Sequence, residues 1–249
     1  MRVAVLLALT AIPGTARAQA GLPADFVHLR AVDPSIAQDI RYAGSNNFVG
    51  RPLDGYAAPE CILRRDAAAA LKRVQADLAG TGFALKVYDC YRPERAVRAM
   101  VRWAKDAGAD GAAKRFYPRL EKRSLLAGYI AARSRHSTGT AVDLTLVSRA
   151  HVLTKSAAPP VVAPCIAPAS QRGDGESIDM GTGFDCFDRN SHSNARDIGT
   201  EARQWRAVLA AAMRKQGFRG YYREWWHFSY AGAAPLAYYD FPIRDRRAH

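Results

Sequence analysis

Apolar residues recur every three or four positions in three segments of the chain, which is the spacing of one face of an α-helix. The predicted helices are residues 63–79, a helix with Pro93 in its first turn that Gly108 closes, and a helix from Thr200 to Gln216. Pro suits a first turn, Thr an N-cap and Gly a helix end, which supports these bounds. The third helix is expected to bury Trp205, Val208, Leu209 and Met213.

Two shorter segments alternate between apolar and polar residues and are predicted to be strands, residues 84–89 and residues 140–146. In the second, Asp143 lies on the face opposite Val142 and Leu144, away from the apolar side. Residues 221–230 form a third, aromatic strand-like segment. Helices and strands mix without regular βαβ order, so the sequence predicts an α+β fold, with helices flanking a small, mainly antiparallel sheet.

The first 20 residues differ from the rest of the chain. Arg2 precedes an apolar run at residues 3–12, and small residues follow up to Ala18 and Ala20. This is the pattern of a signal peptide cleaved after Ala18 or Ala20, rather than that of a core helix. The mature chain, residues 21–249, is therefore expected to be periplasmic or secreted and to form a single catalytic domain.

Composition supports one globular domain, with 49% hydrophobic and 24% charged residues in a chain of 249. Residues 147–179 are a Pro-rich, loop-like insertion. The net charge of +13 is dispersed and accompanies no nucleic-acid-binding motif, so solvated basic faces are expected rather than a nucleic-acid partner. The body of the chain holds no apolar stretch long enough for a membrane span. The sequence leaves the oligomeric state open.

Four cysteines remain after the signal segment, and in an oxidising compartment an even number predicts disulfides. Three pairings are possible, of which Cys61–Cys90 with Cys165–Cys186 is favoured. No pair has the C-x-x-C spacing that a thiolate metal site needs.

His136 and Asp143 form the first candidate constellation. Residues seven apart face opposite ways on an unbroken strand, so a joint role needs a bend, and Gly139 is where the chain can bend. A neutral imidazole and a carboxylate that converge suit Zn²⁺. The alternative is that His136 is a surface histidine and Asp143 a strand aspartate, and that the two share no ligand.

Glu224 and His227 enclose two tryptophans in the second constellation. Burying two such polar groups beside aromatic rings is costly without a purpose. His227 suits a metal ligand and Glu224 a base that takes a proton from water, provided that a bulge or a strand end brings both to one cleft. The alternative is an aromatic core strand with a hydrogen-bonded histidine.

Arg92 stands between a predicted strand and a predicted helix, where Pro93 keeps it from helical geometry. A guanidinium fixed at such a junction can stabilise an oxyanion. A structural ion pair between Arg92 and a carboxylate is the equal alternative.

The ordered set of motifs resembles the D-alanyl-D-alanine dipeptidase family, zinc enzymes related to the vancomycin-resistance dipeptidase within the zinc D,D-peptidase group. The resemblance covers residues 35–243, and its motifs are DIRYA, NFVG, DGY, YRP, SRHSTGTAVDLTL, MGTGFD, EWWHF and YDFP. It implies a zinc D,D-peptidase-like domain that holds one Zn²⁺ per chain. The departures are the long segment 147–179 and the cysteines at positions 90 and 186.

By this resemblance, His136, Asp143 and His227 match the zinc ligands, Glu224 the proton donor and acceptor, and Arg92 the transition-state stabiliser. The positions that match the substrate pocket are Tyr42, Asp89, Ser134 and Asp185. Asp185 matches the carboxylate that receives the free ammonium of the dipeptide.

The bulky side chains Trp225, Trp226 and Phe184 are expected to wall a pocket for two small residues. The predicted function is zinc-dependent hydrolysis of D-Ala-D-Ala to two D-alanines. One alternative is a D,D-carboxypeptidase that trims peptidoglycan stem peptides. The other is a catalytically silent, zinc-containing envelope-binding module, which has no need for a carboxylate such as Glu224 beside the metal.

Overall fold

The computed structural model describes residues 22–108, 111–152, 163–172, 176–232 and 237–246. The predicted signal peptide and part of the predicted insertion lie outside these residues. The strands are β1 Phe26–His28, β2 Ala37–Gln38, β3 Ile62–Arg64, β4 Phe83–Asp89, β5 Ala141–Ser148, β6 Phe218–Tyr221 and β7 Glu224–Tyr230. The helices are α1 Leu29–Val32, α2 Arg65–Ala79, α3 Glu94–Lys105, α4 Arg149–Val152, α5 Ala169–Arg172 and α6 Thr200–Lys215.

The sheet that carries the chemistry has the strand order β2-β4-β5-β7-β6. Its β2–β4 pair is parallel and its other pairs are antiparallel. Strands β1 and β3 form a second, two-stranded antiparallel sheet. Helices α2 and α6 pack against each other, α2 also against β4 and α6 against β6. The predicted fold class, helices flanking a small and mainly antiparallel sheet, is confirmed.

Strand β5 lies at the centre of the sheet and is buried along residues 141–147 on both faces. The prediction that one face of this strand is remote from the core is therefore wrong. The strand also continues to Ser148, because Val147 and Ser148 pair with Ala84 and Phe83 of β4. Asp143 consequently sits in the interior, 2% exposed, where a carboxylate needs partners.

Several predicted bounds and faces need correction. The aromatic segment 221–230 is part of the hairpin β6–β7, because a two-residue turn at positions 222–223 divides it. Helix α6 has Gly199 rather than Thr200 as its N-cap. Leu209 and Met213 of this helix are buried, but Trp205 is only half-buried and Val208 is 41% exposed, because the buried face of the helix is the one that carries Ala202, Arg206, Leu209 and Met213.

Two disulfides tie the loops to this framework, Cys61–Cys90 and Cys165–Cys186, so the favoured pairing is confirmed. The second bond anchors part of the Pro-rich insertion next to Asp185. No helix among the described residues is long and apolar enough to cross a membrane.

Candidate metal centre

Two local features bring His136, Asp143 and His227 together. His136 lies on a 3₁₀ turn, Arg135–Thr138, which ends at Gly139 with φ +72°. A Cβ on Gly139 would lie 2.2 Å from the Phe26 ring, so both the backbone angle and the packing require glycine at this bend. Asp143 and His227 are direct cross-strand partners on β5 and β7.

The donor atoms of the three side chains converge on one point. His136 Nε2 lies 3.0 Å from His227 Nδ1 and 3.2 Å from Asp143 Oδ1. His227 Nδ1 lies 3.0 Å from the same carboxylate oxygen. Ligand atoms at ordinary zinc distances in a tetrahedral site lie about 3.4 Å apart, so the spacing matches that of a closed set of metal ligands.

The outer hydrogen bonds of the two imidazoles decide which nitrogens face inward. His136 Nδ1 lies 2.6 Å from the Cys90 carbonyl oxygen, which can only accept, so Nδ1 carries the proton and Nε2 offers a lone pair. His227 Nε2 reaches Ser229 Oγ at 3.3 Å, which leaves Nδ1 inward. Burial lowers the pKa of His227 and so favours its neutral form. Lone pairs that face one another in the interior need a cation between them.

The pKa of Asp143 agrees with its place among the candidate metal ligands. Burial by itself raises the pKa of Asp143, but the neighbouring imidazoles of His136 and His227 outweigh it and hold the pKa below its ordinary value. Asp143 Oδ1 lies beside the inward nitrogens of both imidazoles, where a carboxylate can serve as the third ligand. Two imidazole nitrogens and one carboxylate oxygen are a set that fits a divalent transition metal and leaves a further position open for chemistry.

Glu224 stands beside this centre, with its Oε2 3.9 Å from His227 Nδ1. It is the first residue of β7, opposite the register shift at Gly220 and Tyr221 in β6. This strand end with a bulge lets Glu224 and His227 serve one cleft despite their odd spacing. Burial, and next the charges of Asp143 and Asp185, raise the pKa of Glu224 well above its ordinary value, as suits a proton carrier.

Arg92 is held by a carboxylate behind it. Its Nε donates to Asp89 Oδ2 at 2.8 Å, and Tyr56 Oη donates to the other Asp89 oxygen at 2.7 Å. Arg92 Nη2 also lies 3.5 Å from Asp143 Oδ2. Its Nη1 lies 3.7 Å from Met100 Sδ, a weak acceptor, and thus keeps donor capacity for an oxygen in the cleft.

Tyr42 connects the two halves of the site. Its ring lies beneath the Arg92 guanidinium, 4.9 Å from centroid to Cζ, and its hydroxyl donates to Asp185 Oδ2 at 2.7 Å. Burial raises the pKa of Asp185 to about 8, with a further contribution from the charge of Asp143. Asp185 also has φ +57°, the left-handed region that a side chain rarely adopts.

A cavity of about 340 Å³ collects eight of the nine predicted site residues, namely Tyr42, Arg92, Ser134, His136, Asp143, Asp185, Glu224 and His227. The ninth, Asp89, is 0% exposed and does not line this cavity. It contacts Arg92 from behind, so its place in the structure is that of a partner to Arg92 rather than of a group that touches a ligand. Ser134 also caps the 3₁₀ turn by accepting from the His136 backbone N–H at 3.3 Å.

The apolar walls of the cavity are not the ones expected from the sequence. Trp225, Trp226 and Phe184 are buried and do not line it, because Trp226 packs edge-to-face on both of the other two rings. The walls come from Phe48, Val97, Met100, Tyr129, Phe187 and Tyr221. Sequence reasoning missed them because no local motif links segments so far apart. Phe48 belongs to the NFVG motif and Tyr221 begins the strand-like aromatic run, but neither pattern indicated a cavity wall.

The donor set, the acid/base candidate Glu224 and the cavity that they share are the features of a metal-dependent hydrolase. A family model described as D-Ala-D-Ala dipeptidase, peptidase M15, matches residues 23–158 and 161–246. The chain belongs to this metallopeptidase family.

Individual relatives agree with the family match. The chain is 33% identical over 220 residues to a D-alanyl-D-alanine dipeptidase of Enterococcus faecalis, which covers 88% of this chain and 98% of the relative. A Streptomyces coelicolor protein of the same name is 36% identical over 222 residues, with the same coverage. An Escherichia coli protein of this name is 28% identical over 210 residues, 84% of this chain and 86% of the relative.

Proposed function

We propose that this protein is a zinc-dependent dipeptidase that hydrolyses free D-Ala-D-Ala to two D-alanines. The observation that carries the proposal is that one cavity holds the three-residue metal site at one wall and the buried carboxylate of Asp185 at another. Membership of the D-Ala-D-Ala dipeptidase family supports it. A cavity of about 340 Å³ suits a ligand of two small residues.

Zinc is the metal proposed for His136, Asp143 and His227, because two imidazoles and a carboxylate are the ligand types of catalytic zinc sites. When bound there, zinc supplies a Lewis acid that acidifies water and polarises a carbonyl. The buried Cys90 carbonyl, which fixes the His136 tautomer, is a typical outer partner for such a ligand.

The side chains then divide the reaction between them. Glu224 accepts a proton from the attacking water at a carboxylate oxygen and delivers it to the leaving amine. Arg92 donates to the oxygen on which negative charge develops, and its orientation is fixed by Asp89. Asp185 holds the substrate ammonium, and the Tyr42 hydroxyl keeps that carboxylate in place. A carboxylate whose pKa is near 8 gains from an ammonium partner, which favours its ionised form.

The proposal predicts selection for a free amino terminus. The enzyme should cleave D-Ala-D-Ala with a kcat/KM roughly 10²–10³-fold higher than that for N-acetyl-D-Ala-D-Ala, because acylation removes the ammonium that pairs with Asp185. A pentapeptide stem that ends in D-Ala-D-Ala should be spared likewise. Steady-state kinetics on the three substrates measure this directly. Comparable values for all three would favour the D,D-carboxypeptidase alternative.

A pair of variants assigns the selection to one residue. Asp185→Asn keeps the shape of the side chain but removes its charge, so the preference for the free dipeptide should collapse. Asp197→Asn makes the same change in a 65%-exposed residue outside the cavity and should leave both constants unaltered. An Asp185→Asn enzyme with full discrimination would place recognition of the ammonium elsewhere.

Arg92→Lys should lower kcat by roughly 10²–10³-fold with a much smaller effect on KM, because an ammonium keeps the charge but loses the directed donors of the guanidinium. Arg98→Lys, on an exposed side chain of α3, is the matched control and should behave as wild type. An unchanged kcat with a raised KM in Arg92→Lys would make Arg92 an anchor for the substrate carboxylate.

We also propose that the protein acts in the periplasm or outside the cell. The support is the signal-like pattern of the first 20 residues and the two disulfides, which persist in oxidising compartments. Detection of the processed chain in a periplasmic or culture fraction, with its new N-terminus at residue 19 or 21, tests this placement.

A further inference from the structure

We propose that the two disulfides are separate positioning devices for the two halves of the site. Cys61–Cys90 fixes the metal-binding half, and Cys165–Cys186 fixes the half that selects the substrate. The assignment of the second half rests on the proposed function, whereas that of the first rests on the metal site alone.

The first disulfide holds the backbone that orients a metal ligand. Cys90 and Cys61 are 1% and 0% exposed, and the Cys90 carbonyl oxygen lies 2.6 Å from His136 Nδ1. Two residues later, the Arg92 N–H donates to the His136 carbonyl at 3.2 Å. The Cys90–Arg92 segment therefore sets both the rotation of the His136 ring and the place of the Arg92 backbone.

This segment lies just beyond the sheet that could otherwise hold it. Strand β4 ends at Asp89, after a register shift between Val87 and Asp89 in its pairing with β5. Past that point the chain is tied to the start of β3 instead, through the disulfide to Cys61, which directly precedes this strand, and a 2.9 Å bond from the Tyr91 N–H to the Ile62 carbonyl. Loss of the covalent tie would leave the Cys90 carbonyl with less restraint.

The second disulfide holds a strained turn. Asp185 is the one non-glycine residue of the described chain with a positive φ, and its carboxylate is buried. Both features disfavour the observed conformation, so the surroundings must impose it. The adjacent Cys186 is bonded to Cys165, and the Cys165 carbonyl accepts from the Gly183 N–H at 2.8 Å. Cys165 of the insertion therefore holds the chain on both sides of Asp185, at Gly183 through a hydrogen bond and at Cys186 through the disulfide.

Cys165 and the residue after Cys186 are also hydrogen-bonded to a distant segment of the chain. The Cys165 N–H donates to the Arg115 carbonyl at 2.8 Å, and the Phe187 N–H donates to the Phe116 carbonyl at 2.7 Å. Phe187 lines the cavity beside Asp185. The Pro-rich insertion therefore contributes to the site through Cys165, which gives this segment a role in substrate selection.

The two disulfides are matched controls for each other. Their cysteines are 29 and 21 residues apart, so both bonds restrict the unfolded chain to a similar degree. If the bonds only stabilise the fold, their removal should lower Tm by similar amounts and impair the same functions. Separate positioning roles predict different functional losses at similar losses of Tm.

The test compares Cys61→Ala/Cys90→Ala with Cys165→Ala/Cys186→Ala, each assayed at the same interval below its own Tm. The first variant should bind Zn²⁺ roughly 10–100-fold more weakly in competition with a chelator, and when saturated with zinc it should show a lower kcat at a nearly unchanged KM. The second variant should bind Zn²⁺ as the wild type does, but its KM for D-Ala-D-Ala should rise roughly tenfold or more. Its ratio of kcat/KM for D-Ala-D-Ala to kcat/KM for the N-acetyl substrate should be smaller than that of the wild type.

Equal losses of zinc affinity in both variants, or KM and kcat changes that do not differ between them, would overturn the proposal. Both disulfides would then only stabilise the fold. If an alanine pair does not fold, species that lack one disulfide are prepared by partial reduction, alkylation and chromatography, and the same measurements decide. A wild-type protein that binds Zn²⁺ but does not cleave D-Ala-D-Ala would contradict the proposed function, while the zinc comparison would still decide the role of Cys61–Cys90.

Discussion

Removal of the metal is expected to abolish hydrolysis of D-Ala-D-Ala, and addition of one equivalent of Zn²⁺ per chain should restore it. The described residues contain one such convergence of ligands, His136, Asp143 and His227, whose donor atoms lie 3.0–3.2 Å from one another. The loss should exceed the effect of any single acid/base variant, because both the acidification of water and the polarisation of the carbonyl disappear together. Elemental analysis before and after chelation measures the metal, and a D-alanine assay measures turnover.

Loss of one proposed metal ligand should abolish activity just as removal of the metal does. His136→Ala removes one donor of the set, so the purified variant should hold well under one zinc per chain and lack activity. His192→Ala is the control for metal content, because His192 lies outside the donor set, and this variant should retain one zinc per chain. Full turnover in protein shown to be free of metal would disprove the metal-dependent mechanism.

Glu224→Gln is expected to retain zinc but to lose roughly 10²–10⁴-fold in kcat, because glutamine keeps the shape of the side chain and cannot accept a proton. The geometry favours this role, since Glu224 is held beside the metal site at the start of β7, with its Oε2 3.9 Å from His227 Nδ1. A reaction that needs Glu224 first as base and then as acid depends on a group that exchanges its proton readily.

The control for this variant is Glu201→Gln, which makes the same chemical change in the exposed first turn of α6. It should retain the kcat, KM and zinc content of the wild type. Glu224→Gln protein that turns over normally with a full complement of zinc would mean that another group carries the proton. It would also weaken the distinction from a silent zinc-containing module, which rests on this carboxylate.

Local sequence patterns predicted the three long helices, the strands β4 and β5 and the types of chemical group at the site. The helical stripes predicted α2, α3 and α6 to within a few residues, because burial of one face imposes its period on the sequence. The spacing of His136 and Asp143 required a bend, and Gly139 supplies it with φ +72°. The odd spacing of Glu224 and His227 required a strand end or a bulge, and the structure has both.

Only the tertiary structure decided which groups face the cavity. Asp89 and Asp185 are both buried carboxylates next to a cysteine, yet Asp185 lines the cavity and Asp89 lies behind Arg92. Trp225 is in the core, whereas Tyr129, far away in the sequence, forms a wall. The period of apolar residues along a helix or strand indicates which of its faces is buried. The walls of a cavity are chosen by packing between distant segments, and no local pattern records that choice.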